Sequence, residues 1–178
     1  MRLFCCQAHS SAIVPSTIPS FSIVADSSTA TGLKWEAPSG SSGPTFRVFA
    51  NSSPQTLTQS VLTKVTWSAE TWDTDSDFAS STFTPQVAGY YLFTVGIGWD
   101  ASPAALGSVQ FFKNGSVNSI VAYDTVSFGA GNQTGSAIIY CNGTTDYIEV
   151  YGQSNAATSR SVYQDGTSSW FSGVWIRS

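Results

Sequence analysis

The sequence predicts an all-β protein, and both its composition and its spacing support that prediction. Only 10% of the residues are charged, whereas roughly a quarter are charged in an average soluble domain. Gly, Ser, Thr and aromatic residues take their place, and this balance suits short strands joined by many turns rather than helices. From Phe46 onward, strand-forming runs recur at short, regular spacing with turn signals between them.

The chain is predicted to consist of an arm and one head domain. Its 178 residues are enough for one domain with a core and an appendage. Pro15, Pro19 and Pro38 interrupt the first part, and the Ser- and Gly-rich run that follows has the composition of a linker. We therefore predict an extended attachment arm with its Ser/Gly linker over residues 1–43 and the head over residues 44–178.

Two short strands are expected within the arm, at about residues 21–24 and 32–35. The arm has too few apolar residues to bury a core of its own. It is therefore expected to become ordered against its symmetry mates or against a larger assembly. Its candidate attachment residues are the apolar side chains Phe21, Ile23, Leu33 and Trp35.

The head is expected to contain ten strands, a number that fits a jelly roll. Their approximate ranges are 46–51, 55–59, 61–69, 78–83, 89–99, 108–113, 117–123, 133–141, 147–153 and 169–177. The pair Asn114 and Gly115 predicts a tight type I′ turn between the sixth and seventh strands, because these residue types supply the positive φ angles that the turn requires.

The fifth of these strands is predicted to pack on both of its faces, since its side chains alternate with period 2. One face, expected in the core, carries Tyr91, Phe93, Val95, Ile97 and Trp99. The second face begins with Tyr90 and Leu92 and becomes glycine-rich further on. An apolar sheet face is unfavourable in water unless another chain covers it, so this face predicts an oligomer.

The same strand carries a resemblance to a known family. With the residues before it, it is similar to the signature F-x-P-x-x-A-G-x-Y-x-F of the C1q and TNF-like jelly-roll superfamily. The matching positions are Phe83, Pro85, Ala88, Gly89, Tyr91 and Phe93. The segments 135–143 and 146–151 resemble the family's paired strands, and Phe171 and Gly173 belong to a segment that resembles its closing strand.

This resemblance extends over nearly all of residues 45–177. It implies a ten-stranded C1q/TNF-like jelly-roll sandwich that carries the extended N-terminal arm. It also implies a homotrimer, because members of the family form trimers. We expect the threefold axis to be lined by Tyr90, Leu92, Tyr147 and Tyr151, whose side chains alternate away from the core-facing set.

The arm resembles a different group of proteins. The segment from Ala25 to Trp35 looks like one found near the attachment end of tailed-bacteriophage fibre and other virion proteins. The collagen-like repeat that precedes the head in many animal members of the C1q family is absent from the sequence. The resemblance therefore implies a phage virion protein whose arm docks on other virion proteins.

The sequence does not indicate an enzyme. His9 is the only histidine and lies in the arm, so the head has no histidine base for a Ser-His-Asp or Cys-His system. Pairs of carboxylates can hydrolyse glycosides, but the spacing of the acidic residues singles out no such pair. We therefore expect no catalytic residues.

One acidic segment resembles a metal site without matching it. Asp73, Asp75 and Asp77 have the spacing that opens a calcium loop, but Phe78 replaces the Gly at the sixth position and Thr84 replaces the Glu at the twelfth. The segment is interpreted as a solvated connection before a strand. No metal and no cofactor are expected.

Two other kinds of partner are not expected. The net charge is −4 and the seven basic residues are scattered, so no basic stripe exists to bind nucleic acid. No run approaches the roughly 18 apolar residues needed to insert into a membrane as a helix. The first residues also lack the apolar run of a signal peptide.

A host-surface glycan is a possible ligand. Trp72 and Trp99 each stand beside an acidic residue at the end of a predicted strand, where binding residues often occur. Aromatic side chains more often serve core or interface packing. Trp72, Trp99 and Asp100 are the candidate contacts.

Two functions follow as hypotheses. The first is a phage-type virion structural protein, either a short fibre or a capsid decoration, assembled in the host cytoplasm and exposed on the particle for host attachment. The second is a soluble C1q/TNF-like module that binds carbohydrate or another ligand outside a virion. The arm discriminates between them, since the second hypothesis gives the arm no task.

Overall fold

The computed structural model describes residues 22–25, 28, 30–31, 33–36, 43–100, 105–126, 131–155 and 159–178. This part of the chain forms fifteen β-strands and no helix, which confirms the predicted all-β class, although the sequence predicts only twelve strands. The chain divides into two units at residues 41 and 42, inside the predicted linker. No helix in the described ranges has the length and apolar character needed to cross a bilayer.

The first unit contains β1 (Ser22–Ala25) and β2 (Leu33–Glu36), which pair as an antiparallel hairpin. This hairpin confirms the two strands expected in the arm. The register places Ile23 opposite Trp35 and Ala25 opposite Leu33. This register puts the apolar residues of the two strands at positions on one side of the hairpin, which we call its apolar face.

The second unit contains thirteen strands in two antiparallel sheets. They are β3 (Thr45–Phe49), β4 (Gln55–Leu57), β5 (Thr63–Lys64), β6 (Ala69–Asp73), β7 (Phe78–Ala79), β8 (Thr82–Phe83), β9 (Gly89–Trp99), β10 (Ala105–Lys113), β11 (Ser116–Val126), β12 (Gly131–Cys141), β13 (Ile148–Ser154), β14 (Arg160–Val162) and β15 (Trp170–Arg177).

The first sheet, called the β9 sheet, is organised around β9. Strand β12 pairs with one edge of β9, and β15 and β14 pair with the other edge. Strands β3 and β6 continue the sheet beyond β15, and β4 pairs with β14.

The second sheet, called the β10 sheet, places β10 between β11 and β13. Strands β5 and β8 pair with β13, and β7 pairs with β8. Together the two sheets form the sandwich that the ten-strand pattern predicts.

The core lies between the two sheets and is rich in aromatic rings. Phe46 stacks on Phe83 with ring centroids 4.3 Å apart, and Phe93 contacts Phe111 of the opposite sheet at 6.0 Å. Burying each such side chain stabilises the fold by roughly 1.5 to 3 kcal/mol. The alternation of Tyr91 and Phe93 in β9 therefore holds the two sheets together.

The glycine of the signature is required by close packing. Gly89 begins β9 with a φ of 150°. A Cβ atom at this position would lie 2.3 Å from Nε1 of Trp175 and 2.5 Å from the main-chain oxygen of Arg177. No larger residue fits there without moving the closing strand.

The strand predictions are correct where local patterns are strong. The predicted strand 89–99 has the observed bounds of β9, and the turn at Asn114 and Gly115 has the positive φ angles expected of type I′, 55° and 75°. Both features depend on residues that are adjacent in the sequence.

Two predicted strands are wrong. The range 61–69 yields only β5 and the first residue of β6. The range 78–83 is a tight hairpin rather than one strand, because Ser80 and Ser81 adopt φ angles of 51° and 60°. Serine seldom occupies this conformation, so the sequence gives no signal for the turn. The sequence does not predict β14 either.

Candidate functional site

An exposed apolar surface lies on the outer face of the β9 sheet. In the register of β12, β9 and β15, Ile138 and Val174 flank Leu92, and Tyr140 lies opposite Tyr90. Four of these five side chains are between 42% and 63% exposed, and Leu92 is half-buried. We call this set the apolar patch: Tyr90, Leu92, Ile138, Tyr140 and Val174.

Aromatic and cationic contacts order one end of the apolar patch. The rings of Tyr90 and Tyr140 meet edge to face, with centroids 5.3 Å apart. The guanidinium of Arg177 and the ammonium of Lys113 each lie 5.8 Å from one of these rings. Such pairs favour a fixed arrangement of the rings, so this end offers a preformed surface to a partner.

A shallow groove of about 210 Å³ continues the apolar patch towards β6. Its lining includes Thr45, Trp72, Leu92, Thr94, Ser172 and Val174. The groove shares Leu92 and Val174 with the patch, so the exposed surface is continuous from β12 to Trp72.

The glycine-rich half of β9 is covered by the same chain. The indole of Trp170 lies over Gly96, where an added Cβ would be 2.6 Å from its Nε1. Ser168 and Tyr163 cover Gly98 in the same way. The expected outward face of β9 is therefore available to a partner only at its apolar start.

The structure does not bring together the four residues predicted to line a threefold axis. Tyr90 and Leu92 lie in the apolar patch. Tyr151 belongs to β13 of the β10 sheet, where its ring stacks on Phe112 at 4.0 Å. Tyr147 immediately precedes the same strand. The prediction that these four residues lie together rests on the alternation of side chains along each strand. Alternation does not reveal the sheet to which a strand belongs.

The three candidate ligand contacts are also separated, and one of them is inaccessible. Trp99 is 2% exposed, and its Nε1 donates to Oε1 of Gln133 at 2.9 Å, so it is a core residue and cannot contact a ligand. Oδ1 of Asp100 lies 3.9 Å from Nη1 of Arg160. Trp72 is exposed, but it belongs to β6, three strands away from β9.

Seven of the residues that carry the family resemblance are buried, whereas Ala88 of the signature is exposed. They are Phe83, Pro85, Gly89, Tyr91, Phe93, Phe171 and Gly173. A Cβ atom at Gly173 would lie 2.5 Å from the ring of Phe46, so this glycine also marks a close approach within the core. These residues position the sheets and offer no surface to a ligand.

A second cleft, of about 340 Å³, lies beside the turn between β7 and β8. Its lining includes the indole of Trp67, the carboxylate of Glu70 and the hydroxyl groups of Ser80 and Ser81. One carboxylate with serine hydroxyls supplies no acid and base pair for catalysis. Among the described residues, no group of three or more acidic, His or Cys side chains is arranged to hold a metal.

The attachment residues of the arm are partly described. Ile23 and Leu33 are 54% and 52% exposed on the apolar face of the hairpin. Trp35 lies in β2, opposite Ile23. Phe21 lies outside the described residues. The apolar face is thus available to a partner.

Sequence reasoning missed three members of the apolar patch, Ile138, Tyr140 and Val174. A signal for the first two exists in β12, where exposed Ser136, Ile138 and Tyr140 alternate with more buried residues. The sequence does not show that this strand lies beside β9, because the two segments are some forty residues apart.

Solved structures of other proteins share this fold. The crystal structure of murine APRIL at pH 8.5 matches with a TM-score of 0.54 and 11% identity, over 75% of this chain and 98% of that one. The globular domain of zebrafish complement 1qA protein matches with a TM-score of 0.53 and 20% identity, over 76% of this chain and 99% of that one. Eiger TNF from S. frugiperda matches with a TM-score of 0.51 and 14% identity, over 75% of this chain and 93% of that one.

No family model and no curated protein matches the chain. Sequence identities of this size establish the architecture alone. The two antiparallel sheets, their strand order and these structural matches together show that the head has the C1q/TNF-like jelly-roll fold.

Proposed function

We propose that the protein is a homotrimeric structural protein of a phage-type virion, either a short fibre or a capsid decoration. Its jelly-roll head is displayed on the particle surface, and its arm attaches it to other virion proteins. It acts by recognition and attachment rather than by catalysis. The observation that carries this proposal is the apolar patch, which a protein that functions alone has no reason to expose.

The position of the apolar patch supports self-association. Its side chains come from three adjacent strands and form one surface rather than isolated exposed residues. Contiguous apolar surfaces of this kind mark sites of protein interaction. Covering them removes apolar area from water, which gains about 25 cal/mol for each square ångström. The family resemblance implies that two further copies of the chain provide the cover.

The hairpin of the arm supports attachment. An isolated two-stranded hairpin is marginally stable in water, and this one exposes Ile23 and Leu33 on one face. Packing that face against another protein stabilises both the hairpin and the attachment. The likeness of residues 25–35 to virion proteins supports a particle component as the partner, and assembly in the host cytoplasm is part of the same proposal.

Recognition of a host-surface glycan belongs to the same proposal. Trp72 offers an exposed indole beside the groove, and aromatic faces are suited to stacking on sugars. A trimer presents three copies of each site. Weak sites can then act together when their spacing allows simultaneous engagement.

The arm provides the test of virion attachment. In the full chain, replacing Ile23 and Leu33 together by Glu is expected to abolish incorporation into particles and to leave the mass of the purified protein unchanged. The control is Lys34→Gln, which lies on the other face of the same hairpin. Normal incorporation of the double variant would overturn the proposed role of the apolar face.

A second candidate function is a soluble C1q/TNF-like module that binds carbohydrate or another ligand outside a virion. The structural matches to a complement protein domain and to a TNF are compatible with it. Under this alternative, purified protein binds its ligand with full strength after the arm is changed, and no particle contains it. Genes for portal or tail proteins beside its own gene would favour the virion function instead.

A further inference from the structure

An arginine lies between two residues that line the groove beside the apolar patch. Arg47, in β3, is directly opposite Trp72 of β6 and Ser172 of β15, and both of these residues line the groove. Its neighbours Phe46 and Val48 are buried in the core, so Arg47 projects to the outer face, where the groove lies. Opposite residues on one face have Cβ atoms about 5 Å apart. The groove therefore has a cationic side chain at its margin.

A tryptophan ring orders the guanidinium of Arg47. Its Cζ atom lies 5.1 Å from the ring centroid of Trp170, whose indole covers Gly96 on the same face. Both side chains are half-buried. The cation–π contact restricts the long side chain before any ligand is present, and this reduces the entropy lost on binding.

No carboxylate of the described head pairs with Arg47. The ion pairs of the head join Lys64 to Glu149, Lys113 to Asp146 and Arg160 to Asp100. The two acidic residues of β6, Glu70 and Asp73, are opposite core residues of β3, so they project away from the groove. A guanidinium carries five N–H donors in a planar fork, and those of Arg47 are suited to a carboxylate from another molecule.

The lining of the groove is uncharged and combines an aromatic ring with hydroxyl groups. The indole of Trp72 is 45% exposed, and its Nε1 lies 3.4 Å from Oγ1 of Thr45. Thr94 and Ser172 add two hydroxyl groups, whose oxygens are 2.8 Å apart. An aromatic face can stack on the apolar face of a sugar ring, and hydroxyl groups both donate and accept hydrogen bonds.

A sugar ring that carries a carboxylate matches all of these groups. Arginine binds a carboxylate through two parallel hydrogen bonds. We propose that the groove binds an acidic sugar of the uronic acid type, with its carboxylate on Arg47 and its ring stacked on Trp72. This inference rests on the proposed recognition of a glycan and names the class of sugar. Both residues lie outside the apolar patch, which is confined to β9, β12 and β15.

Titration of the full-length protein with galacturonate and with galactose, followed by ligand-observed NMR, tests this inference. The two sugars differ only at C6, where a carboxylate replaces a hydroxymethyl group. A ligand with about a dozen non-hydrogen atoms is expected to bind with a Kd of about 1 mM. Galactose is expected to bind about tenfold more weakly, because it cannot form the charge-assisted pair. This preference should shrink as salt is added.

Variants at the two positions separate their roles. Arg47→Gln should remove the preference for galacturonate and leave the affinity for galactose unchanged, whereas Arg47→Lys should keep part of the preference. Trp72→Ala should weaken the binding of both sugars alike. Lys34→Gln is the control, since it removes one positive charge from the arm and should retain the preference. The molar mass and the cooperative unfolding of each variant should match those of the native protein.

Three results would overturn the inference. Equal affinity for the two sugars, or an unchanged preference in Arg47→Gln, would refute the acidic ligand and leave the virion function in place. Binding of neither sugar by the folded protein would refute the site itself. A lower molar mass of Arg47→Gln, without a sugar preference in the native protein, would assign Arg47 to a carboxylate of a second copy. Failure of the virion function has a different sign, which is normal particle incorporation of the arm variant.

Discussion

The outer faces of the two sheets differ in whether their central side chains have contacts within the chain or are exposed to water. On the β9 sheet, the central strands expose the apolar patch. On the β10 sheet, the centre is internally paired, by the contacts of Lys64 with Glu149 and by the stacked rings of Phe112 and Tyr151. Among the described side chains of this sheet, the large exposed apolar ones lie on β11 at the edge: Val117, Ile120 and Tyr123. The comparison teaches that the polar groups at the centre of one face are paired within a single chain, whereas the other face leaves a contiguous set of apolar side chains exposed to water.

The paired centre of the β10 sheet is formed by a network around Lys64. Its Nζ donates to Oε1 of Glu149 at 2.7 Å, to Oγ1 of Thr82 at 2.7 Å and to the main-chain oxygen of Ser80 at 3.1 Å. This arrangement satisfies the charge of Glu149 although its side chain is only 12% exposed. Self-contained networks of this kind do not require a partner protein.

The largest expected effect comes from disrupting the β9 sheet itself. Gly89→Ala places a methyl group against the indole of Trp175 and the main chain of Arg177, and it strains a positive φ angle. We expect a loss of about 3 kcal/mol in the free energy of unfolding, measured by urea denaturation. Gly115→Asn is the control, since asparagine tolerates that turn. Equal stability of both variants would refute the close-packing argument.

A smaller effect is expected from breaking the network of the β10 sheet. Lys64→Ala leaves Glu149 buried without its cation, which costs about 2 kcal/mol of unfolding free energy for a partly exposed pair. The molar mass of the assembly should remain unchanged. The double variant Lys64→Met with Glu149→Gln should recover part of the loss, since it removes both charges. A change of mass would mean that this face also takes part in assembly.

A still smaller effect is expected from the dependence of stability on pH through the carboxyl group of Asp146. Burial opposes the charged form of Asp146, but hydrogen bonds from Lys113 and Asn114 outweigh it and hold its pKa below the ordinary value. A carboxyl with a lowered folded-state pKa contributes stability above its unfolded pKa, and this contribution is lost as pH falls through the folded pKa. Asp146→Asn should cost about 1 kcal/mol at neutral pH.

The measurement for this prediction is urea denaturation between pH 7 and pH 3. The difference in stability between the native protein and Asp146→Asn should shrink steadily as the pH falls below the ordinary range of aspartate. A difference that stays constant over that range would show that the carboxyl has no lowered pKa. A difference that grows would contradict the sign of the effect.

The smallest effect is expected from removing the arm. Deletion of residues 1–43 should change the Tm of the head by no more than about 2 °C, because a linker composition predicts few contacts across the junction. Differential scanning calorimetry checks this. Aggregation or unfolding of the truncated head would mean that the arm is part of the core and that the predicted boundary is wrong.

The sequence predicts those parts of the molecule that depend on neighbouring residues. The bounds of β9 follow from its alternation and from the Pro and Gly before it, and the turn at Asn114 follows from the residue types alone. The arm hairpin is predicted for the same reason. The aromatic signature also leads directly to the jelly-roll fold.

The remaining features depend on contacts between distant segments. Tyr151 alternates like an interface residue but belongs to the other sheet. The sequence suggests that Trp99 lies at the surface, because an acidic residue follows it. In the structure its indole NH donates to the side chain of Gln133 in the neighbouring strand β12. The members of the apolar patch come from three separate segments, and only the folded sheet brings them side by side.

The central claim is that the apolar patch is the surface through which the chain assembles, and light scattering at micromolar concentration tests it most directly. Three copies of the 18.9 kDa chain give a mass of about 57 kDa. Val174→Glu, within the patch, should reduce the mass to that of one chain. Val61→Glu, at a valine of similar exposure between β4 and β5, should leave it unchanged. A native mass of one chain, or equal dissociation by both variants, would contradict the account.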